Sequence, residues 1–227
     1  MSHGDQQGTQ ELQEGSTAPV VKRTRNGMIK AVAALWLVAV LGLTSALLFH
    51  SASPGSTGTV PSRWPTGSAL PFDASRLNLV LFAHPRCPCT RATLAELEIL
   101  LASCEGKFSA QVWFIRPPGA SDDWADTALW RRASSIPGLR VGCDADLGEA
   151  RRFGAETSGL TLLYDHNGKL LFQGGITGAR GHSGDNAGRS AVAALSERSF
   201  KTEVQTPVFG CPLFAPCCQE GGLACKP

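Results

Sequence analysis

Two cysteines stand one residue apart in residues 84–90, whose sequence is HPRCPCT. The apolar run before them, residues 77–83, has the composition of a strand, and leucines in residues 90–103 repeat at helical spacing. This pattern predicts that Cys87 and Cys89 lie where a strand turns into a helix. Unpaired backbone N–H groups and the positive end of the helix dipole stabilise a thiolate there and lower the pKa of a thiol. The motif therefore predicts reactive cysteine chemistry.

Several other side chains are candidates to support these thiols. Arg86 carries a positive charge beside the motif, and His84 carries one when it is protonated. A glycine-rich segment, residues 174–188, contains the further candidates Arg180 and His182.

The elements around the motif alternate in type. Strands are predicted at about residues 110–115 and 139–143, with helices beginning near residue 121 and running through 144–153. The turn sequence DHNG at residues 165–168 predicts a hairpin, which a last helix near residues 186–198 follows. The order predicts an α/β fold, a mixed sheet with helices on both faces.

Two stretches carry a resemblance to a known fold family, FAHPRCPCTRATLAEL and FGAETSGLTLLYDHNGKLLFQGG. They resemble the thioredoxin-like superfamily, in particular its membrane-anchored, extracytoplasmic thiol–disulfide proteins, over about residues 72–200. The stretches FAHPRCPCTRA, GGITGARGHSGDNAGR and TPVFGCPLF are similar to a bacterial group called RedB-type proteins. The resemblance implies a thiol–disulfide oxidoreductase in which Cys87 is the first redox cysteine. It also implies protein thiols and disulfides of the cell envelope as partners, and no cofactor.

The sequence departs from the family pattern at two positions. Members normally have two residues between their cysteines, whereas here Cys89 falls inside the motif and Thr90 stands at the second cysteine position. Cys89 would then have to resolve Cys87 through a small, strained ring, which would be easily reduced. Leu160 stands where the family has a cis-proline that shapes substrate docking. Because leucine lacks the proline ring, this departure argues against ordinary protein-disulfide exchange.

Three other functions fit the same residues. Cys87 and Cys89, with His84 or His182, form a donor set suited to copper(I) or zinc, which predicts metal binding or delivery. A peroxidase would use Cys87 with Arg180 or Arg86. A non-catalytic envelope scaffold would use the fold only as a surface, because fold does not fix function.

The remaining cysteines have structural interpretations. Residues 201–227 are rich in cysteine and proline and are predicted to form a separate tail held by disulfides. Cys104 and Cys143 are interpreted as buried thiols or a mutual disulfide. The candidate structural disulfide residues of the tail are Cys211, Cys217, Cys218 and Cys225.

The N-terminal third of the chain predicts a membrane anchor. Residues 1–27 are polar and are predicted to be a disordered cytoplasmic tail, and residues 28–49 include a long uncharged run that predicts a transmembrane helix. Basic residues before this run predict one crossing of the lipid bilayer with the N-terminus inside. The resemblance implies that this bilayer is a bacterial inner membrane. A cleaved signal peptide is the alternative. The Ser/Gly/Pro-rich residues 50–71 predict a linker, so the domain and its redox centre are expected in the periplasm.

Composition limits the choice of partner. The 227 residues carry a formal net charge of +2 at pH 7, and the basic residues form only one cluster, near the N-terminus. Nucleic-acid binding is therefore not expected.

Overall fold

The computed structural model describes residues 20–197 and 203–214, and the chain divides after Leu48 into two units. The described part of the first unit is helical and belongs to α1 (Val20–Ala52). Asn26–Ala52 contains an 18-residue window with a mean hydropathy of 2.4 and is long and apolar enough to cross a membrane, a property that anchors and export signals share. The helix begins within the predicted tail, and residues 1–19 lie outside the described residues.

The second unit contains a sheet of six strands, which are β1 (Leu77–Ala83), β2 (Phe108–Arg116), β3 (Leu139–Ala145), β4 (Leu160–Tyr164), β5 (Leu170–Gly174) and β6 (Val204–Gln205). Their order in the sheet is β3-β2-β1-β4-β5-β6. Strands β1, β2 and β3 are parallel to one another, β4 is antiparallel to β1 and to β5, and β6 is parallel to β5.

Helices cover both faces of this sheet because alternate residues of the central strand point to opposite sides. The helices are α2 (Pro88–Ser103), α3 (Ala128–Ser134), α4 (Gly148–Arg152) and α5 (Ala187–Glu197), with a 3-10 helix at Asp122–Ala125. Leu79 and Leu81 belong to a core cluster with side chains of α2, α3 and α5, whereas Val80 and Phe82 belong to a second cluster with α4. The predicted α/β class, a mixed sheet with helices on both faces, is thereby confirmed.

The domain is larger than the sequence pattern indicates at its C-terminal end. Its predicted limit was residue 200, yet β6 pairs with β5, and Val208 and Leu213 are buried in the second core cluster. The two apolar side chains explain this, since each removes its surface from water against the sheet. Described residues 203–214 are therefore part of the domain.

The predicted linker also packs on the domain. The Trp64 ring lies 5.1 Å from Phe72, 5.1 Å from Phe153 and 5.4 Å from Tyr164, measured between ring centroids. The Tyr164 hydroxyl donates a hydrogen bond of 3.0 Å to the carbonyl oxygen of Pro61. One aromatic side chain thus holds a segment whose Ser/Gly/Pro composition indicates a spacer.

Replacing Trp64 with alanine should loosen this segment and destabilise the domain by about 3 kcal/mol, because a large aromatic side chain is lost from a packed cluster. Urea unfolding of the full chain in detergent measures this change. The matched control is Trp36→Ala on α1, where the side chain is 66% exposed. Equal stabilities of the two variants would mean that Trp64 does not hold the segment.

Candidate functional site

Cys87 occupies the N-cap of α2, directly after β1, as the sequence pattern predicts. Pro88 follows at the first helical position, where its fixed φ suits a helix start and its missing N–H is not needed. The N–H of Cys87 donates to the carbonyl oxygen of His84 at 3.1 Å, and the N–H of Thr90 donates to the carbonyl oxygen of Cys87 at 3.1 Å. The turn therefore holds Cys87 at the positive end of the helix.

A second thiol faces Cys87 from the C-terminal segment. The Sγ atoms of Cys87 and Cys211 are 3.0 Å apart, and both cysteines are free. Cys87 is only 1% exposed, while Cys211 is half-buried. The site thus brings together two residues that are 124 positions apart in the chain.

The two thiols have pKa values shifted in opposite directions. Burial alone would raise the pKa of Cys87. Hydrogen bonds outweigh this effect, so the pKa of Cys87 is lowered. The donors are the thiol and the backbone N–H of Cys211 and the backbone N–H groups of Thr90 and Cys89. Burial, and then the interaction with Cys87, raises the pKa of Cys211 to about 12. The arrangement therefore favours loss of a proton from Cys87 over loss from Cys211, whose S–H then donates to the Cys87 sulfur.

Cys89 lies at the second helical position and is 9% exposed. Burial, and then the charge of Cys87, raises its pKa, while Arg180 acts in the opposite direction. Cys89 therefore stays protonated more readily than Cys87. It forms part of the wall of a groove of about 650 Å³, which is also lined by Pro88, Arg91, Ala92, Ala95, Arg132, Arg180, Gly181 and Ser183.

His84 and Arg86 contact each other and Trp124. The N–H of Arg86 donates to Nδ1 of His84 at 3.1 Å, and the Arg86 guanidinium lies 3.8 Å from the centre of the Trp124 ring. Burial, and then the charge of Arg86, lowers the pKa of His84, which favours the neutral imidazole. The thiolate is stabilised chiefly by Cys211 and the helix N–H groups instead.

The loop before β4 faces the motif through Ser158. Its Oγ accepts a hydrogen bond of 2.9 Å from the N–H of His84 and lies 3.0 Å from Oγ1 of Thr90. Leu160, predicted to face a substrate, is instead fully buried in the core, paired with Phe82 across the sheet. The residue of this loop that contacts the motif is therefore Ser158, which sequence reasoning missed.

Arg180 connects three segments around the thiols. Its Nε donates to the carbonyl oxygen of Ser53 at 3.2 Å, and its Nη1 donates to the carbonyl oxygen of Gly210. The loop that carries Arg180 is fixed by the buried Glu96, which accepts hydrogen bonds from the N–H of Gly184 at 2.7 Å and from Asn186 at 3.1 Å. Arg180 is thus held beside the site, where its positive charge and hydrogen bonds connect the segments around the thiols.

The residues suggested for metal binding do not converge. His182 is exposed, and its N–H donates to the carbonyl oxygen of Ala179. Within residues 20–197 and 203–214, no group of three or more His, Cys, Asp or Glu side chains is placed to hold a metal ion. The donor set that the sequence suggested is therefore not assembled in this part of the chain.

The structure corrects two interpretations of the remaining cysteines. Cys104 and Cys143 are both free, and Cys104 Sγ accepts a hydrogen bond of 3.3 Å from the Ser196 hydroxyl, so the mutual disulfide is not formed. Cys211, predicted as a structural disulfide residue, is also free and belongs to the site. Cys217, Cys218 and Cys225 lie outside the described residues.

Comparisons with solved structures support the fold. No protein-family model matches the chain, and no curated protein shows significant similarity to it. An uncharacterized conserved protein from Geobacillus kaustophilus is 15% identical with a TM-score of 0.57, over 72% of this chain and 97% of that chain. A hypothetical protein from Sinorhizobium meliloti 1021 is 19% identical with a TM-score of 0.50, over 72% and 96% of the two chains.

A third match is a secreted Mycobacterium tuberculosis disulfide oxidoreductase, 13% identical with a TM-score of 0.39, over 56% of this chain and 83% of that chain. At such identities, the first two matches bear on the fold alone. The structure therefore defines a mixed α/β domain with Cys87 at the start of α2 and Cys211 facing it from the segment after β6.

Removing the hydrogen-bond donor at residue 211 should raise the pKa of Cys87. In Cys211→Ala the thiolate loses the S–H donor, so the pH midpoint of Cys87 alkylation by iodoacetamide should move to higher pH than in the wild type. The midpoint is followed by mass spectrometry of the Cys87 peptide. Cys143→Ser is the control and should leave it unchanged, whereas an unchanged midpoint in Cys211→Ala would contradict this role.

Proposed function

We propose that the protein is a thiol–disulfide oxidoreductase that acts on protein thiols or disulfides and uses Cys87 as the attacking thiolate. The observation that carries this proposal is the Cys87 thiol at the N-cap of α2, whose pKa is lowered although the residue is almost fully buried. A thiolate is the nucleophile in disulfide exchange, and a thiol with a lowered pKa is also a good leaving group.

The reaction has two exchange steps. The Cys87 thiolate attacks one sulfur of a partner disulfide, the partner S–S bond breaks, and the released partner thiolate takes up a proton. A second cysteine of this chain then loses its proton and attacks Cys87 Sγ, which releases the second partner thiolate. The partner disulfide is reduced to two thiols, and two cysteine thiols of this protein are oxidised to one disulfide.

The first test of this proposal is the Cys87→Ser substitution. It should reduce catalysed exchange to the uncatalysed rate, because a serine hydroxyl cannot form the mixed disulfide. The measurement is the reduction of a fluorescent peptide disulfide by the full chain in detergent, with excess dithiothreitol as the reductant. Cys143→Ser, which removes a cysteine from β3, is the matched control and should keep the wild-type rate.

Undiminished exchange in Cys87→Ser would refute the oxidoreductase proposal. If every cysteine substitution left the function of the protein in cells unchanged, that result would favour the scaffold alternative. Stoichiometric copper(I) binding that is lost in a Cys87→Ser, Cys89→Ser double variant would favour metal delivery instead.

The proposed location is the outer side of a bacterial inner membrane, with α1 as an uncleaved anchor. Support comes from the apolar helix Asn26–Ala52 and from Lys22, Arg23 and Arg25, which precede it. Positive charges before a single span favour a cytoplasmic N-terminus.

A fusion of alkaline phosphatase after residue 227 tests this orientation, because the enzyme is active only outside the cytoplasm, where its disulfides form. We expect high phosphatase activity and a membrane-bound fusion of full-length mass. An inactive fusion would refute the orientation, and a shortened, released fusion would identify the N-terminal segment as a cleaved signal.

A further inference from the structure

The segment Val208–Leu213 crosses the candidate site as an added strand. The N–H of Ser158 donates to the carbonyl oxygen of Cys211 at 2.8 Å, and the N–H of Leu213 donates to that of Glu156 at 2.8 Å. Thr157 and Pro212 form an antiparallel bridge between these bonds. An extended chain is thus bound through its backbone to the loop that precedes β4, as in peptide recognition by strand addition.

Packing fixes this segment on both sides of Cys211. Val208 is 1% exposed and Leu213 is 3% exposed, so each end is anchored in the core. Gly210 lies against Ser158 so closely that a Cβ atom at this position would overlap the Ser158 carbonyl oxygen. The backbone contacts, the two anchors and the close approach together aim the Cys211 side chain at Cys87.

From this geometry we infer that Cys211, rather than Cys89, is the redox partner of Cys87, and that its segment is a tethered strand which covers the thiolate until a partner protein displaces it. This inference rests on the proposed function and identifies the second cysteine of the reaction. The sulfur–sulfur distance is 3.0 Å in the thiol form, and a disulfide of about 2.05 Å needs an approach of only about 1 Å.

Cys89 is less suited to the same role. It lies at the second position of α2, two residues after the N-cap Cys87, and its thiol interacts with that of Cys87. A disulfide between these two cysteines would nevertheless close the small, strained ring that the sequence predicts. Cys211 reaches Cys87 from a separate segment, so its disulfide requires no change in the first turn of α2.

The exposure of Cys87 explains why opening must precede reaction. With 1% of the residue exposed, a protein disulfide cannot reach Cys87 Sγ while the segment is in place. When the segment lifts, Cys87 attacks the partner disulfide and forms a mixed disulfide, and one partner thiolate leaves and is protonated. When the segment returns, Cys211 loses its proton and attacks Cys87 Sγ, and the second partner thiolate leaves.

Formation of the mixed disulfide removes the negative charge of Cys87, which favours the deprotonation of Cys211 that the second step requires. The pKa of Cys211 is raised first by burial and then by its hydrogen bond to Cys87 and by the charge of Cys87. Both interactions with Cys87 depend on its thiolate, which no longer exists in the mixed disulfide. Arg180, which lowers the pKa of Cys211, remains. A dithiol protein then restores the reduced enzyme by the reverse exchange.

Mapping the disulfide of the full chain in detergent tests this inference. The protein is poised in graded thiol–disulfide buffers, quenched with acid, alkylated and digested, and linked peptides are identified by mass spectrometry. We expect the Cys87 peptide to be linked to the Cys211 peptide in oxidised wild type and in Cys89→Ser, but not in Cys211→Ser. With a limiting disulfide substrate, Cys211→Ser should accumulate the mixed disulfide.

A second variant tests the covering strand without changing any cysteine. In Gly210→Val the new side chain overlaps the Ser158 carbonyl, so the segment should detach, and reduced Cys87 should be alkylated about tenfold faster, corresponding to roughly 1.4 kcal/mol. Gly148→Val is the matched control, because a Cβ at Gly148 has no neighbour within 4 Å. It should leave the alkylation rate of Cys87 unchanged.

The outcomes separate this inference from the proposed function. A Cys87–Cys89 disulfide in the oxidised wild type, or Cys211 linked to Cys217, Cys218 or Cys225, would refute the inference while Cys87 remains the attacking thiolate. Wild-type turnover in Cys211→Ser would refute it as well. Full exchange activity in Cys87→Ser would instead refute the proposed function.

Discussion

Stabilisation of negative charge on the almost fully buried Cys87 sulfur is the constraint on which this site depends. A buried thiolate is costly unless hydrogen-bond donors surround it. At Cys87 the start of α2 supplies backbone N–H groups, and Cys211 supplies both its S–H and its own N–H. The helix alone provides only one side of this environment, so the charge and the position of the C-terminal segment depend on each other.

The outer segments of the domain contribute to the same environment. Arg180 donates to a carbonyl of residue 53 on one side and to a carbonyl of residue 210 on the other. The N–H of Gly55 donates to the carbonyl oxygen of Val208 at 2.8 Å, which joins the two segments directly. The part of the chain before the sheet and the part after it therefore hold each other in place around the motif.

The sequence predicted the central elements well because their signals are local. Short apolar runs, leucines at helical spacing and the DHNG turn specify the strand–helix order, and that order places Cys87 at a helix start. Contacts between distant segments leave no such signal. The packing of Trp64 on Tyr164 and the strand-like path of residues 208–213 depend on tertiary contacts that composition does not encode.

For the same reason, the sequence did not identify Cys211 as the neighbour of Cys87. In the sequence it belongs to a cysteine- and proline-rich tail, and spacing cannot show which cysteine it approaches. A local hint exists in TPVFGCPLF, where apolar residues at 208 and 213 flank a Gly-Cys-Pro sequence. Such residues can anchor an extended segment at both ends, but only the fold shows that the loop at 156–158 receives it.

The long separation between the two facing thiols couples folding to oxidation. A bond across 124 residues of chain would restrict the unfolded ensemble and, on chain-entropy grounds, stabilise the folded domain by about 5 kcal/mol. By thermodynamic reciprocity, the folded domain would favour that bond by the same amount over the unfolded chain. The redox state of the compartment would thus shift the folding equilibrium of the domain. The oxidised domain would be more resistant to unfolding, and the reduced domain would open more easily.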